Sequence, residues 1–206
     1  MALIGTAEQK RISEAIAEVE RGTDAELVTV LAASSDDYRY IPLLWAALVA
    51  LIVPSALYLT PLSTAWMITA QLATFLVLAV LLQIETLRAR LIPRSVRTLR
   101  AANMARRQFL EQGLHHTADD TGVLIFVSEA ERYVEILVDR GISSKVDNER
   151  WSSIIEKFVD DVHAGQVERG FLTALARCCY LLAEAVPKTP DNLNELDYRL
   201  ILIVYD

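Results

Sequence analysis

A run of 44 residues, Ile41–Ile84, contains no Asp, Glu, Lys, Arg or His, and it restricts the possible folds more than any other feature of the sequence. A helix of about 20 apolar residues crosses the hydrocarbon core of a bilayer. The run therefore predicts a hairpin of two transmembrane helices, at about residues 41–59 and 65–84, with a short uncharged connection between them. Pro54 lies inside the first span and is predicted to kink it.

Neither span contains Asp, Glu, Lys, Arg or His, although ion pathways and proton relays through a membrane normally need such a residue. The spans therefore favour an anchor, or an element that packs against another membrane protein, over a transporter or a channel. Ala46, Ala47, Ala50 and Ser55 are small enough to allow close contact between helices. The expected partner of the hairpin is a membrane protein complex.

The charged residues outside the spans are unevenly distributed. The formal net charge is −7, yet residues 85–110 hold seven arginines and one acidic residue, Glu85. Because a basic segment at a membrane edge attracts anionic lipid, we expect lipid, and no nucleic acid, near Arg88–Arg107; alternatively, these arginines only set the topology. Basic flanks stay on the cytoplasmic side. This predicts an integral protein of the inner or plasma membrane with both termini and the soluble domain in the cytoplasm.

Hydrophobic periodicity, cap residues and breakers predict helices and strands on both sides of the hairpin. Thr6 is the predicted N-cap of the first helix, with Gln9 at the capping-box position, and Gly22 ends this helix. The other predicted elements are a strand Glu26–Ala33, a helix Arg94–Gly113, paired strands Val123–Ser128 and Tyr133–Val138, a helix from Asp147 or Asn148 to about His163, and a helix at about 166–185. Arg199–Tyr205 suits either a strand or a tail on the membrane surface.

The order of elements predicts one α/β domain that the hairpin interrupts. Residues 1–40 offer one helix and one strand, too little to bury a core alone, so both flanks are expected to surround a small central sheet. The predicted segments are 1–40 (first helix and strand), 41–84 (hairpin), 85–186 (rest of the domain) and 187–206 (C-terminal tail).

The flanks also carry a series of short motifs. These are the helix–strand opening Glu8–Ala32, the strand Thr121–Ser128, the segment Arg132–Ile136, the pair Gly141-Ile142, and the two helices around Gly165 and Gly170. Together they resemble the TPM domain family, which is named for proteins of thylakoid photosystem repair and acetylcholine-receptor accessory proteins. The resemblance covers nearly all residues outside the hairpin. Relatives often have a signal peptide and no such hairpin, and they favour a further glycine where Asp139-Arg140 stands here.

The resemblance implies a TPM-like α/β sandwich and a role in assembly or repair of membrane complexes. We therefore expect a non-enzymatic accessory, assembly or maintenance factor of a membrane protein complex. Because some members of the family bind calcium or hydrolyse phosphate esters, the alternative is a membrane-tethered phosphatase-like or metal-dependent hydrolase with an acidic site. No catalytic residue is predicted, since the sequence has no Gly-x-Ser-x-Gly elbow, glycine-rich phosphate loop or His-Glu-x-x-His motif.

The acidic turn Asp119-Asp120 is the candidate metal site, because carboxylate oxygens suit Ca²⁺ and Mg²⁺. Such a site needs further acids, for example Asp24 or Asp139. Paired aspartates in a turn otherwise cap backbone donors and remain solvated. No other cofactor is predicted.

Two further pairs have an ordinary structural explanation beside a chemical one. His115-His116 could bind a transition metal with Asp119, but histidines at a helix end also interact favourably with the helix dipole. Cys178-Cys179 lies on an apolar helix, where core packing is the expected role.

Overall fold

The computed structural model describes residues 4–84, 87, 91–117, 119–190 and 200–204. The chain divides into an α/β unit, Met1–Asp36 with Thr98–Asp206, and a helical unit, Asp37–Arg97. The helices are α1 (Thr6–Arg21), α2 (Tyr40–Leu57), α3 (Thr64–Leu81), α4 (Arg94–Glu111), a 3-10 turn (Leu114–His116), α5 (Arg140–Ser143), α6 (Asn148–His163) and α7 (Val167–Ala185). The strands are β1 (Glu26–Ala32), β2 (Gly122–Ser128), β3 (Tyr133–Val138) and β4 (Leu200–Ile203).

The strands form one mixed sheet in the order β3-β2-β1-β4. β1 pairs in parallel with β2 and β4, whereas β2 and β3 form an antiparallel pair. Every residue of β1 and β2 is buried, as expected for central strands covered on both faces. Because β1 precedes the apolar run and β2 follows it, the two flanks build one sheet, which confirms the predicted α/β fold.

Helices cover both faces of this sheet. On one face, α1, α6 and α7 form a core with alternate strand residues; its largest fully buried members include Ile12, Ile16, Leu27, Leu31, Ile125, Phe158, Phe171 and Leu175. On the other face, α4 packs Ala101, Met104 and Ala105 against a cluster that includes Val28, Val30 and Phe126. The alternation of side chains along a strand explains why β1 and β2 supply both cores.

The helical unit consists mainly of α2 and α3, which pack against each other. Each helix has 18 residues and is long and apolar enough to cross a membrane. Most of their large aliphatic side chains are exposed; Leu51 and Ile52 on α2 and Leu76 and Val80 on α3 are each more than 60% accessible. A soluble monomer rarely exposes such a continuous apolar surface.

Most predicted element boundaries are confirmed to within two residues, but one cap is wrong. The N-cap of α1 is Gly5, not Thr6, because the Glu8 carboxylate accepts a hydrogen bond from the Gly5 N–H. Gly22 ends α1 as predicted. At the C-terminus, the strand alternative is correct for Leu200–Ile203, while residues 199 and 205 lie outside the described part of the chain.

Candidate functional site

The outward surface of the helical unit is the first candidate interaction site. Ala46 and Ala50, one helical turn apart, are buried, so this small-residue face of α2 is already covered. The exposed surface is made of Leu, Ile and Val, with Trp66 and Tyr58 near the connection between the helices. The hydroxyl of Thr69 donates to the Ala65 carbonyl at 2.9 Å, which satisfies it within its own helix. This surface suits lipid or another apolar helix.

The acidic turn lies at one edge of the sheet, where β1 and β2 begin and β3 ends. Glu26 pairs with Gly122 in register, so the loops holding Asp24 and Asp119-Asp120 are adjacent. The Thr121 hydroxyl donates to the Asp24 carbonyl at 3.2 Å. The Asp139 N–H donates to the Gly122 carbonyl at 2.9 Å. The structure therefore brings together the four acidic positions named from the sequence.

A glycine holds two of these loops in close contact. The Gly141 N–H donates to the Asp120 carbonyl at 2.9 Å. A Cβ at position 141 would overlap the Asp119 carbonyl oxygen and lie 2.8 Å from that of Asp120. Asp120 has φ 53°, a left-handed conformation that aspartate tolerates better than most residues. The glycine in the Gly141-Ile142 motif is thus required by a close backbone approach.

The carboxylates at this edge have different surroundings. Those of Asp119 and Asp120 are on exposed residues. The Asp24 carboxylate accepts hydrogen bonds from the backbone N–H and hydroxyl of Thr189 and lies 3.6 Å from the Lys188 Nζ. The Asp139 carboxylate accepts from the Arg140 N–H at 2.7 Å. Within the described residues, no group of three or more His, Cys, Asp or Glu is placed to hold a metal ion. The Ca²⁺ or Mg²⁺ site remains a prediction.

A buried carboxyl group, which no sequence pattern indicated, lies near the same edge. Glu20 is only 4% exposed, and its Oε1 accepts a hydrogen bond from the Leu27 N–H at 3.0 Å. Burial raises the pKa of Glu20 to about 8; the Glu26 carboxylate also raises it, while the Leu27 hydrogen bond and the Lys188 ammonium lower it. In the sequence, Glu20 looks like any other polar residue of an amphipathic helix.

A second missed cluster lies at the opposite edge, where β1 and β2 end. The Glu131 carboxylate accepts from the Ser34 hydroxyl at 3.2 Å, from the Ser35 N–H at 3.1 Å and from the Ser128 hydroxyl. The Ser35 hydroxyl donates to Ser128 Oγ at 2.9 Å. Ser128 is fully buried, so a substrate has no access to its hydroxyl. The cluster fastens the segment after β1 to the β2–β3 turn.

Among the residues that the structure describes, neither the histidine pair nor the cysteine pair belongs to a group of three or more side chains that could hold a metal ion. The rings of His115 and His116 lie 3.8 Å apart between centroids and are tilted by 43°. Cys178 is fully buried in the core, which confirms its predicted packing role, and burial raises the pKa of its thiol to about 12. Neither cysteine forms a disulfide bond.

The structure describes only part of the arginine-rich segment Arg88–Arg107. Arg88 and Arg90 lie outside the described residues, whereas Arg94, Arg100, Arg106 and Arg107 are exposed on α4. The exposed side of α4, which includes Leu99 and Leu110, is the second candidate interaction site.

Comparison with known proteins supports the fold. Residues 89–179 match the family model described as TPM domain and labelled TPM_phosphatase. No curated protein matches the sequence. Among solved structures, the NMR structure of the BA42 protein from the psychrophilic bacterium Bizionia argentinensis is similar, with a TM-score of 0.61 and 16% identity. That similarity covers 97% of this chain and 94% of BA42. At this identity it shows the fold alone.

Proposed function

Residues 89–179 match the TPM domain family, and from that premise we propose that this chain is a membrane-anchored, non-enzymatic accessory factor that assists assembly or maintenance of a membrane protein complex. The observation that carries the proposal is the apolar surface of α2 and α3. These helices expose large aliphatic side chains and contain no Asp, Glu, Lys, Arg or His. Such a surface is stable in lipid or against another apolar helix, and it lacks the groups that ion or proton transport needs.

The same proposal includes an orientation. The connection between α2 and α3 has no Lys or Arg, whereas arginines follow α3 and Arg39 precedes α2. Short loops rich in Lys and Arg stay in the cytoplasm. Both termini and the α/β unit then lie in the cytoplasm of an inner or plasma membrane, and the connection lies outside.

Co-purification from native membranes tests the accessory role. The tagged full chain is extracted in mild detergent, and bound proteins are identified by mass spectrometry. The matched control replaces α2 and α3 by helices of equal length made of Leu and Ala, which keeps the anchor and changes the docking surface. We expect one recurrent membrane complex with the natural chain and its loss with the control. Purification without a recurrent partner, or equal recovery with the control, contradicts docking through the hairpin.

A second candidate function, a metal-dependent or phosphatase-like hydrolase, rests on the four acidic positions gathered at one edge of the sheet. The label of the family model, TPM_phosphatase, points in the same direction. On this reading, Ca²⁺, Mg²⁺ or Mn²⁺ raises the melting temperature and supports hydrolysis of an aryl phosphate ester. The double variant Asp119→Ala/Asp120→Ala loses both effects, whereas Asp160→Ala, an exposed aspartate on α6, keeps them. Equal behaviour of all three proteins removes the candidate.

A further inference from the structure

One side of α4 is exposed along its length. Positions 99, 103, 106 and 110 are spaced so that they share one face of a helix. We call these residues, Leu99, Asn103, Arg106 and Leu110, the α4 stripe. Leu99 and Leu110 are each 57% exposed, and Asn103 and Arg106 are exposed as well. The opposite side of α4 is buried against the sheet, so the stripe faces away from the core of the α/β unit.

Arginines surround the two leucines of the stripe. Arg106 lies within the stripe, and its guanidinium donates to the Asn103 side-chain oxygen at 3.4 Å. Arg100 and Arg107 lie along one side of the stripe, each one position after a stripe residue. They form ion pairs with Asp36 at 3.1 Å and Glu111 at 2.7 Å.

We propose that the α4 stripe lies on the surface of the bilayer that the hairpin spans. There Arg106 binds the phosphate groups of anionic lipids, and Leu99 and Leu110 enter the headgroup region. This inference rests on the proposed membrane anchoring. It also assigns the predicted lipid contact to specific residues of α4.

The chemistry of the stripe favours lipid over a protein partner. A helix that lies in the membrane interface combines exposed leucines with Lys or Arg beside them. Protein interfaces instead concentrate aromatic residues at their centre, and the α4 stripe has none. Twelve residues of chain separate α3 from α4, so α4 is the first described long helix after the second span. Juxtamembrane basic residues are attracted by the negative charge of the cytoplasmic leaflet.

The test places a fluorescent label on the stripe of the full-length protein. Leu99→Cys and Leu110→Cys carry an environment-sensitive dye, and Tyr180→Cys is the matched control, since Tyr180 is an 80% exposed residue of α7. Wild-type protein measures background labelling of Cys178 and Cys179. The proteins are reconstituted in vesicles of neutral lipid or of neutral lipid with anionic phosphatidylglycerol, and quenching by headgroup spin-labelled lipid is recorded.

The expected result is at least twofold stronger quenching at positions 99 and 110 than at 180 in the anionic vesicles. High salt and Arg106→Gln should weaken the quenching at positions 99 and 110, whereas Arg106→Lys should leave this quenching unchanged. Quenching at 99 and 110 equal to that at 180 overturns the proposal. A blue-shifted dye emission without quenching by lipid also overturns the proposal, because this combination indicates contact with protein. Flotation of the same vesicles after carbonate washing reports anchoring separately, so loss of anchoring is distinguished from failure of the stripe to bind lipid.

Discussion

The buried carboxyl group of Glu20 allows a quantitative test of the packing between α1 and β1. Its pKa rises from an ordinary value of 4.5 to about 8, chiefly because burial disfavours the charged form. Between these two values, the unfolded chain loses the proton while the folded chain retains it. The folded state then binds more protons than the unfolded state, so the contribution of Glu20 to stability is full below pH 4.5 and is lost as the pH rises to 8.

The loss of stability is set by the difference between the pKa of Glu20 in the unfolded chain and its pKa in the folded chain. Each pH unit corresponds to about 1.4 kcal/mol, which gives an upper limit on the order of 5 kcal/mol between pH 4.5 and 8. Glu20→Gln removes the titration, and the amide oxygen can still accept the hydrogen bond from Leu27. For a chain of this size, about 1 kcal/mol shifts the melting temperature by roughly 2–4 °C. Between pH 5 and 8 the change in free energy is at most about 4 kcal/mol. We therefore expect the melting temperature of the variant to gain up to roughly 8–16 °C over wild type between pH 5 and 8.5.

The assay compares melting temperatures of the two proteins in the same detergent across this pH range. Glu18→Gln is the control, since Glu18 lies on the same helix and its side chain is 70% exposed. The control should follow wild type at every pH. If the difference between Glu20→Gln and wild type does not change with pH, Glu20 is ionised in the folded state and the reasoning about its burial is wrong.

Three further predictions concern other contacts of the α/β unit. Gly141→Ala should lower the free energy of unfolding by about 1–3 kcal/mol, because its Cβ meets two carbonyl oxygens. Gly22→Ala is the control for urea denaturation, since the nearest atom to its Cβ is 3.5 Å away and its φ is −96°. Glu131→Gln should cost about 1–3 kcal/mol in the same measurement, since buried serine donors lose a charged acceptor, and an unchanged midpoint refutes this role. Cys178 should react with a maleimide at pH 7.5 at least tenfold more slowly than Cys179, as followed by peptide mass spectrometry; equal rates contradict its burial.

The sequence was sufficient to predict the elements whose signals are local. The uncharged run with its break near Pro61 predicted two helices, and the alternation in Tyr133–Val138 predicted a strand. Both signals depend on neighbouring residues only, and the structure confirms α2, α3 and β3. The fold class could be predicted because residues 1–40 offer only one helix and one strand. These cannot bury a core alone, so the residues after the hairpin had to complete the same domain. The N-cap of α1 was misplaced because Thr6 and Gly5 are both acceptable caps, and the Glu8 side chain decides between them.

The pairing of β4 was beyond sequence reasoning for a different reason. Leu200–Ile203 is a short apolar run whose composition suits a strand and a membrane-surface segment equally. Its place beside β1 depends on contacts more than 160 residues apart in the chain, between Thr29 and Leu200 and their neighbours. Periodicity carries no information about such a pairing.

The candidate sites also combine features that the sequence predicts with features that depend on contacts between distant residues. Asp24 and Asp139 were named as acids that would have to join Asp119-Asp120, and parallel pairing of β1 with β2 does bring these loops to one edge. Whether they bind a cation depends on side-chain directions that no sequence pattern records. The burial of Glu20 and the serine contacts of Glu131 were missed because each arises from residues that only the folded chain brings together.

Membrane insertion of the hairpin is the claim on which the proposed function and the lipid contact both depend. The most direct measurement labels Leu62→Cys, in the exposed connection between α2 and α3, with a membrane-impermeant maleimide in intact cells. Tyr180→Cys, on the α/β unit, is labelled in parallel. The account predicts that position 62 reacts in intact cells and position 180 reacts only after lysis. Reaction at 180 in intact cells, or reaction at both positions only after lysis, contradicts a hairpin that crosses the membrane with the α/β unit in the cytoplasm.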